Sequence, residues 1–164
     1  MAYSGKQFED DFRESFDESN ADCSLIRLYD TTNGFRGVAN PCDFIMGTNY
    51  GTMLLECKTT QEASFSFDNL TAFQIESMLH HTDTTTNTKG GVLVYFRKYP
   101  TVVYYPIELI KGLINEGRKS INPTKLKPGR YGKEINITRK RIHIKVDIDS
   151  LLNAMKLIYV DEAI

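Results

Sequence analysis

Residues 91–96 read Gly-Val-Leu-Val-Tyr-Phe, a near-continuous apolar run lying between the polar stretch 82–89 and a turn at Lys98-Tyr99-Pro100. Its length suits a strand, and a strand with no polar side must be covered on both faces. No other feature constrains the fold as tightly. With the order of the remaining elements it predicts an α/β fold, a central mixed β-sheet flanked by helices, over a barrel or a helical bundle.

The rest of the chain supplies the cover. Phe8, Phe12 and Phe16 recur every four residues, which predicts a core-facing stripe on a helix over 5–19, capped by Ser4. Leu70 to His81 reads as a second helix with Asp68 or Asn69 as its cap. Ser24 to Asp30 reads as a strand and 31–40 as a loop. Asp43 to Met46 and Thr52 to Thr59 form a hairpin across Gly47-Thr48-Asn49-Tyr50-Gly51. Thr101 to Tyr105 pairs with the apolar run, and Pro106 opens a short helix ending near Asn115. Residues 116–135 read as a loop that orders on binding. Ile142 to Val146 is a late strand, and Asp149 caps a last helix from Ser150 to Ile158. No repeat or linker interrupts this order, so residues 1–164 are expected to form a single domain.

No run of 18 apolar residues exists, and residues 1–6 lack the apolar core of a signal peptide. The 3 cysteines include no Cys-x-x-Cys pair, so neither a disulfide framework nor a zinc site is expected, and the expected location is a reducing cytoplasm. Net charge is −1, yet it is divided unevenly. Residues 1–88 carry 5 Lys/Arg against 14 Asp/Glu, and residues 89–164 carry 15 against 7. The excess is densest over 111–145, with 11 basic residues against Glu116 and Glu134. Local potential, not net charge, draws a phosphate backbone to a surface, so this segment is expected to bind a polyanion. The plainer reading is a solvated basic face.

The chemistry concentrates in the hairpin over 41–60. Asp43 is followed 13 residues later by Glu56-Cys57-Lys58. Glu56 and Lys58 share one face of a strand, and Cys57 points into the apolar layer with Leu55. Asp43 and Glu56 are the candidate ligands of a hard cation such as Mg²⁺, with Mn²⁺ as a substitute, and the Cys57 backbone carbonyl is a further one. Lys58 is placed to orient or deprotonate a water, or to offset charge in a transition state. Gln74, in the first turn or so of the second helix, and Glu9, on the first helix, are the other candidates for the catalytic centre. Together these groups have what phosphodiester hydrolysis requires. The spacing alone is weak, because many unrelated hairpins match Asp-x(n)-Glu-x-Lys.

Four stretches in order strengthen it: Gly5-Lys6-Gln7-Phe8-Glu9; Pro41-Cys42-Asp43; Leu55-Glu56-Cys57-Lys58-Thr59-Thr60; and Ser64 through Leu70, leading to Phe73-Gln74. With Gly91-Val92-Leu93-Val94 and Tyr104-Tyr105-Pro106, they make residues 4–110 resemble the PD-(D/E)xK nuclease superfamily, which has a restriction-endonuclease-like core. Within it the likeness is to RecU-type Holliday junction resolvases, in a compact form of the bacteriophage kind. The resemblance implies Mg²⁺ held by Asp43, Glu56 and Gln74, Lys58 as transition-state stabiliser, and a homodimer that nicks opposing strands of a four-way DNA junction. Pro41 stands where the family has a threonine. The segment 30–41 is also too short for the family's protruding stalk, although Phe35-Arg36 offers a stub.

The DNA-contacting candidates are Arg36, Lys125, Lys127, Arg130, Lys133, Arg139, Lys140 and Arg141 on backbone phosphates, and Tyr131 stacking on a base at a branch point. His80, His81 and His143 read as surface residues. A restriction-type or other endonuclease on the same fold, and a non-catalytic DNA-binding protein, are the alternatives.

Overall fold

The computed structural model describes residues 2–29, 39–84, 87–124 and 132–161. Its centre is a six-stranded sheet of β1 (Ser24–Arg27), β2 (Phe44–Thr48), β3 (Gly51–Thr60), β5 (Thr88–Phe96), β6 (Thr101–Pro106) and β8 (Lys133–Ile135), in the order β1-β2-β3-β5-β6-β8. β3 and β5 run parallel and the other neighbours antiparallel. The sheet is therefore mixed, as expected. A parallel pair cannot be closed by a tight turn, and the crossover here carries β4 (Phe65–Ser66) and helix α2 (Ala72–Thr84).

Helices cover both faces. α1 (Gly5–Asp17) and α4 (Ile148–Lys156) pack on one, where Phe8, Phe12, Leu151 and Met155 meet Phe44, Leu55, Leu93 and Tyr104. α2 and α3 (Ile107–Asn115) pack on the other, where Ile75, Met78, Ile110 and Leu113 meet Leu54, Val92, Val94 and Tyr105. The 91–96 run divides its side chains between these layers, as its composition requires. At Gly91 a Cβ would overlap the Tyr104 ring, so the glycine lets β5 and β6 close over that side chain.

Phe12 is fully buried and meets Phe44 edge to face at 5.1 Å. Phe12→Ala is expected to lower unfolding free energy by about 3–5 kcal/mol. A loss under about 1 kcal/mol in a denaturant titration would mean that α1 does not close this face.

Several local expectations fail for identifiable reasons. α2 is capped by Thr71, not by Asp68 or Asn69: the Thr71 hydroxyl accepts from Gln74 N at 3.1 Å, and Gln74 Oε1 accepts from Thr71 N at 3.0 Å. This is a reciprocal capping box, and Asp68 and Asn69 belong to a preceding 3₁₀ turn. α4 starts earlier, with Asp147 accepting from Ser150 N at 3.1 Å, so Asp149 lies inside the helix. The stretch 116–135 is not wholly loop: β7 (Ser120–Ile121) pairs with β4, and β8 forms one edge of the main sheet. Residues 82–84 belong to the end of α2, and 88 and 89 to the start of β5. The late strand β10 (His143–Val146) pairs with an unexpected β9 (Ile137–Lys140) through a turn in which Arg141 has φ 53. α1 holds this hairpin through buried groups: Ser15 Oγ accepts from Val146 N at 2.8 Å and an Asp11 oxygen from Ile144 N at 3.0 Å.

Among the described residues no helix is long and apolar enough to cross a membrane.

Candidate metal and active centre

The β2–β3 hairpin turns at Gly51, where φ of +123° and the closeness of the Asn87 carbonyl both exclude a side chain. Its register pairs Phe44 with Leu55, which brings Asp43 beside Glu56 in the middle of β3. Asp43 straddles that residue. Its N–H donates to the Leu55 carbonyl at 3.0 Å, and its Oδ2 accepts from Cys57 N at 2.8 Å.

Glu56 is 2% exposed, on a central strand beneath the start of α2. Its Oε1 accepts from Lys58 Nζ at 2.9 Å and from Gln74 Nε2 at 2.7 Å. The capping box fixes the Gln74 amide, because its oxygen faces Thr71 and its nitrogen is thereby turned to Glu56. Glu56 Oε2 is buried with no hydrogen-bond partner. Burial pushes the Glu56 carboxyl above the ordinary carboxylate range; Lys58 and Gln74 oppose the shift, and Glu9 adds to it.

Glu9 reaches the same cleft from α1. Arg27 on β1 forks between two acidic residues, with Nη2 at 2.9 Å from Glu9 Oε2 and Nη1 at 2.7 Å from Asp10 Oδ1. Its guanidinium also lies over the Tyr29 and Phe44 rings. Burial, and then the charge of Asp43, raise the Glu9 carboxyl. Three carboxylates thus face one polar cleft of about 630 Å³, lined also by Lys6, Asn40 and Asn69. The residue missed at the sequence level is Arg27. It shares a face of β1 with Leu25, but nothing in the sequence placed that strand against the acidic side of α1.

The donor set suits a hard divalent cation. It consists of carboxylate oxygens, and one of them, Glu56 Oε2, is buried without a partner on a carboxyl whose ionised form burial disfavours. Among the described residues no three His, Cys, Asp or Glu side chains gather at metal-binding spacing. The protein thus offers Asp43 and Glu56 as an incomplete shell, with room for water and substrate oxygens. Gln74 presents its nitrogen, not its oxygen, to Glu56, so ligation by Gln74 would require opening the capping box. The Cys57 side chain lies in the apolar layer below the cleft. Burial and the nearby carboxylates push the Cys42 thiol up to about 12 and Cys57 well above its ordinary value. Neither is a thiolate nucleophile at neutral pH.

Of the expected DNA contacts, Arg36, Lys125, Lys127, Arg130 and Tyr131 lie outside the described residues. Lys133 is half-buried on β8. Arg139, Lys140 and Arg141 are exposed on the β9–β10 hairpin, where Glu18 lies 3.9 Å from Lys140 and 2.8 Å from Lys145.

No protein-family model matches the chain, and no curated protein matches it in sequence. Among solved structures it is similar to Hjc of Archaeoglobus fulgidus, a Holliday junction resolvase from an archaeal hyperthermophile, at 16% identity and a TM-score of 0.46. The overlap covers 85% of this chain and 91% of that one. Residue roles do not carry over at that level of similarity, and the site is read from its own geometry.

Proposed function

We propose that this chain is a Mg²⁺-dependent structure-selective endodeoxyribonuclease that resolves four-way DNA junctions by paired nicks. On this reading it is one nuclease domain of the PD-(D/E)xK type, with a basic DNA-binding segment at 111–145, and works as a homodimer. The observation that carries the proposal is the buried Glu56, salt-bridged to Lys58 at 2.9 Å, with one oxygen lacking any partner and Asp43 pinned beside it. A buried carboxylate without a donor on one oxygen is costly unless a cation completes it.

Asp43 and Glu56 would hold the cation, which supplies Lewis-acid polarisation of the phosphate and acidifies water. Asp43 is kept in place by Cys57 N and the β3 backbone, so its carboxylate needs little reorganisation. Gln74 holds Glu56 Oε1 by a fixed amide proton, which orients the opposite oxygen. Lys58 sits on the same oxygen, and its ammonium can turn toward the non-bridging phosphate oxygens as negative charge builds there. Arg27 restrains Glu9 at the rim, where a carboxyl with a raised pKa can exchange a proton with water.

The substrate is tested by incubating purified protein and Mg²⁺ with a synthetic four-way junction and with linear duplex of the same sequence. Symmetric nicks near the branch of the junction, with slow or no cutting of duplex, are expected. Equal cutting of both would favour a restriction-type or general endonuclease, and cutting of neither would favour a DNA-binding role without catalysis.

A further inference from the structure

Across the first turn of α1 from the carboxylate cleft lies a second cavity, of about 440 Å³, lined by Tyr3, Tyr95, Arg97, Arg139, Arg141 and His143 among others. It has three guanidiniums and no carboxylate in its lining. The nearest buried acid, Asp11, is already engaged by the Tyr3 hydroxyl at 2.5 Å, His143 Nδ1 at 2.7 Å and Ile144 N at 3.0 Å. Its oxygens are therefore taken up by these donors, and it is not part of the cavity's lining.

The arginines arrive from separate elements. Arg97 follows β5, fixed by its N–H to the Thr60 carbonyl at 2.9 Å. With the Gln61 amide turned oxygen inward, Arg97 Nη2 and Nη1 donate to it at 2.8 and 3.1 Å, while Nε is buried with no partner. Arg139 and Arg141 come from the β9–β10 hairpin and form no ion pair among the described residues. Arg141 stands in the left-handed region at the turn, a conformation a non-glycine residue adopts only when its surroundings fix it.

Position ties this cavity to the cleft. Lys6 and Glu9 of α1 line the cleft and Gln7 of the same helix lines the cavity, so the start of one helix separates the two. We infer that the cavity holds a backbone phosphate of the DNA strand continuing from the scissile bond, with Arg97, Arg139 and Arg141 as its ligands. This rests on the DNA reading above. Guanidinium forks suit phosphate oxygens in geometry as well as charge.

The test is binding of a fluorescent four-way junction in chelating buffer across a salt series. Arg139→Ala/Arg141→Ala removes two exposed side chains, so folding is not at issue. It is expected to weaken binding about ten-fold and to flatten the slope of log K against log salt by about 0.9, the value for one lost phosphate contact. Arg97→Lys keeps the charge but loses the fork, and is expected to weaken binding while leaving the slope near the wild type. Lys156→Ala, on α4, is the control for lost surface charge and should change neither quantity. Wild-type cleavage together with an unchanged slope and affinity in the double variant would overturn this site alone. No DNA binding by the wild type would overturn the DNA reading and the site with it.

Discussion

Glu56→Gln is expected to cut DNA cleavage on the order of 10³-fold and at the same time to raise the melting temperature at neutral pH. The two effects share one cause. Burial raises the Glu56 carboxyl pKa, so the folded protein disfavours the very ionised form that a cation requires. The sign follows by linkage. The carboxyl's contribution to stability is fully present below its unfolded pKa and is lost as pH rises through the raised folded value. A neutral amide of the same shape removes that loss, and can still accept from Gln74 Nε2 and Lys58 Nζ. The gain is expected at neutral pH as a rise of a few degrees in Tm, the size that about 1 kcal/mol gives at this chain length. It should disappear below about pH 4, where glutamate is protonated in both states. Cleavage should fall on the order of 10³-fold, equivalent to the several kcal/mol of charge stabilisation that a catalytic cation contributes. Mg²⁺ should raise the Tm of the wild type, by about 2.7 kcal/mol of stability at 100 times its Kd, and leave the variant unmoved. A variant that melts lower than the wild type and still responds to Mg²⁺ would mean that Glu56 is an ordinary buried ion-pair partner.

Lys58→Ala is expected to reduce the single-turnover cleavage rate on the order of 10²- to 10³-fold while junction affinity changes less than a few-fold. A charge that acts chiefly on the transition state lowers the rate without weakening the ground-state complex. A second consequence is specific to this geometry. Lys58 is the largest influence holding the Glu56 pKa down, so its removal leaves burial opposed by the Gln74 hydrogen bond alone. The acid limb of the residual pH–rate profile should therefore move to higher pH. Affinity lost in proportion to rate would make Lys58 a phosphate-binding residue instead, and an unmoved acid limb would separate it from Glu56.

The layer architecture was legible because its signals are local. The 91–96 run has no polar side, and Phe8, Phe12 and Phe16 share one helical face, so cover on both faces of a sheet follows from composition and period. The pairing of Asp43 with Glu56 was legible for a similar reason, since a glycine-bounded turn fixes the register of the strands beside it. What could not be read depends on partners distant in sequence. Arg27 is legible only once β1 lies against α1. β9 is polar along its exposed side, and its turn uses Arg141 in a conformation normally signalled by glycine or asparagine. The 97–139–141 cluster joins segments about 40 residues apart, one following β5 of the main sheet and one on a separate hairpin held by α1. The Thr71-x-x-Gln74 capping box was visible in the sequence, but Asp68 and Asn69 were equally good caps, and only the 3₁₀ turn decides between them.

The functional consequence of that box is larger than its contribution to helix stability. Gln74 was expected as a metal ligand from resemblance. In the structure its amide oxygen closes the start of α2 and its nitrogen is delivered to Glu56. A residue that caps a helix and orients the Glu56 carboxylate couples the position of α2 to the geometry of the cleft.

The central claim is that Asp43, Glu56 and Lys58 form a cation-dependent DNA-cleaving centre. Its most direct test is a single-turnover cleavage assay on a labelled four-way junction, with Mg²⁺ titrated from zero, comparing the wild type with Glu56→Gln. Nicks that appear with Mg²⁺ in the wild type, vanish with chelator and form on the order of 10³-fold more slowly in the variant at every Mg²⁺ concentration are the predicted result. Cleavage by the variant at the wild-type rate, or wild-type cleavage that is indifferent to chelator, would contradict the claim.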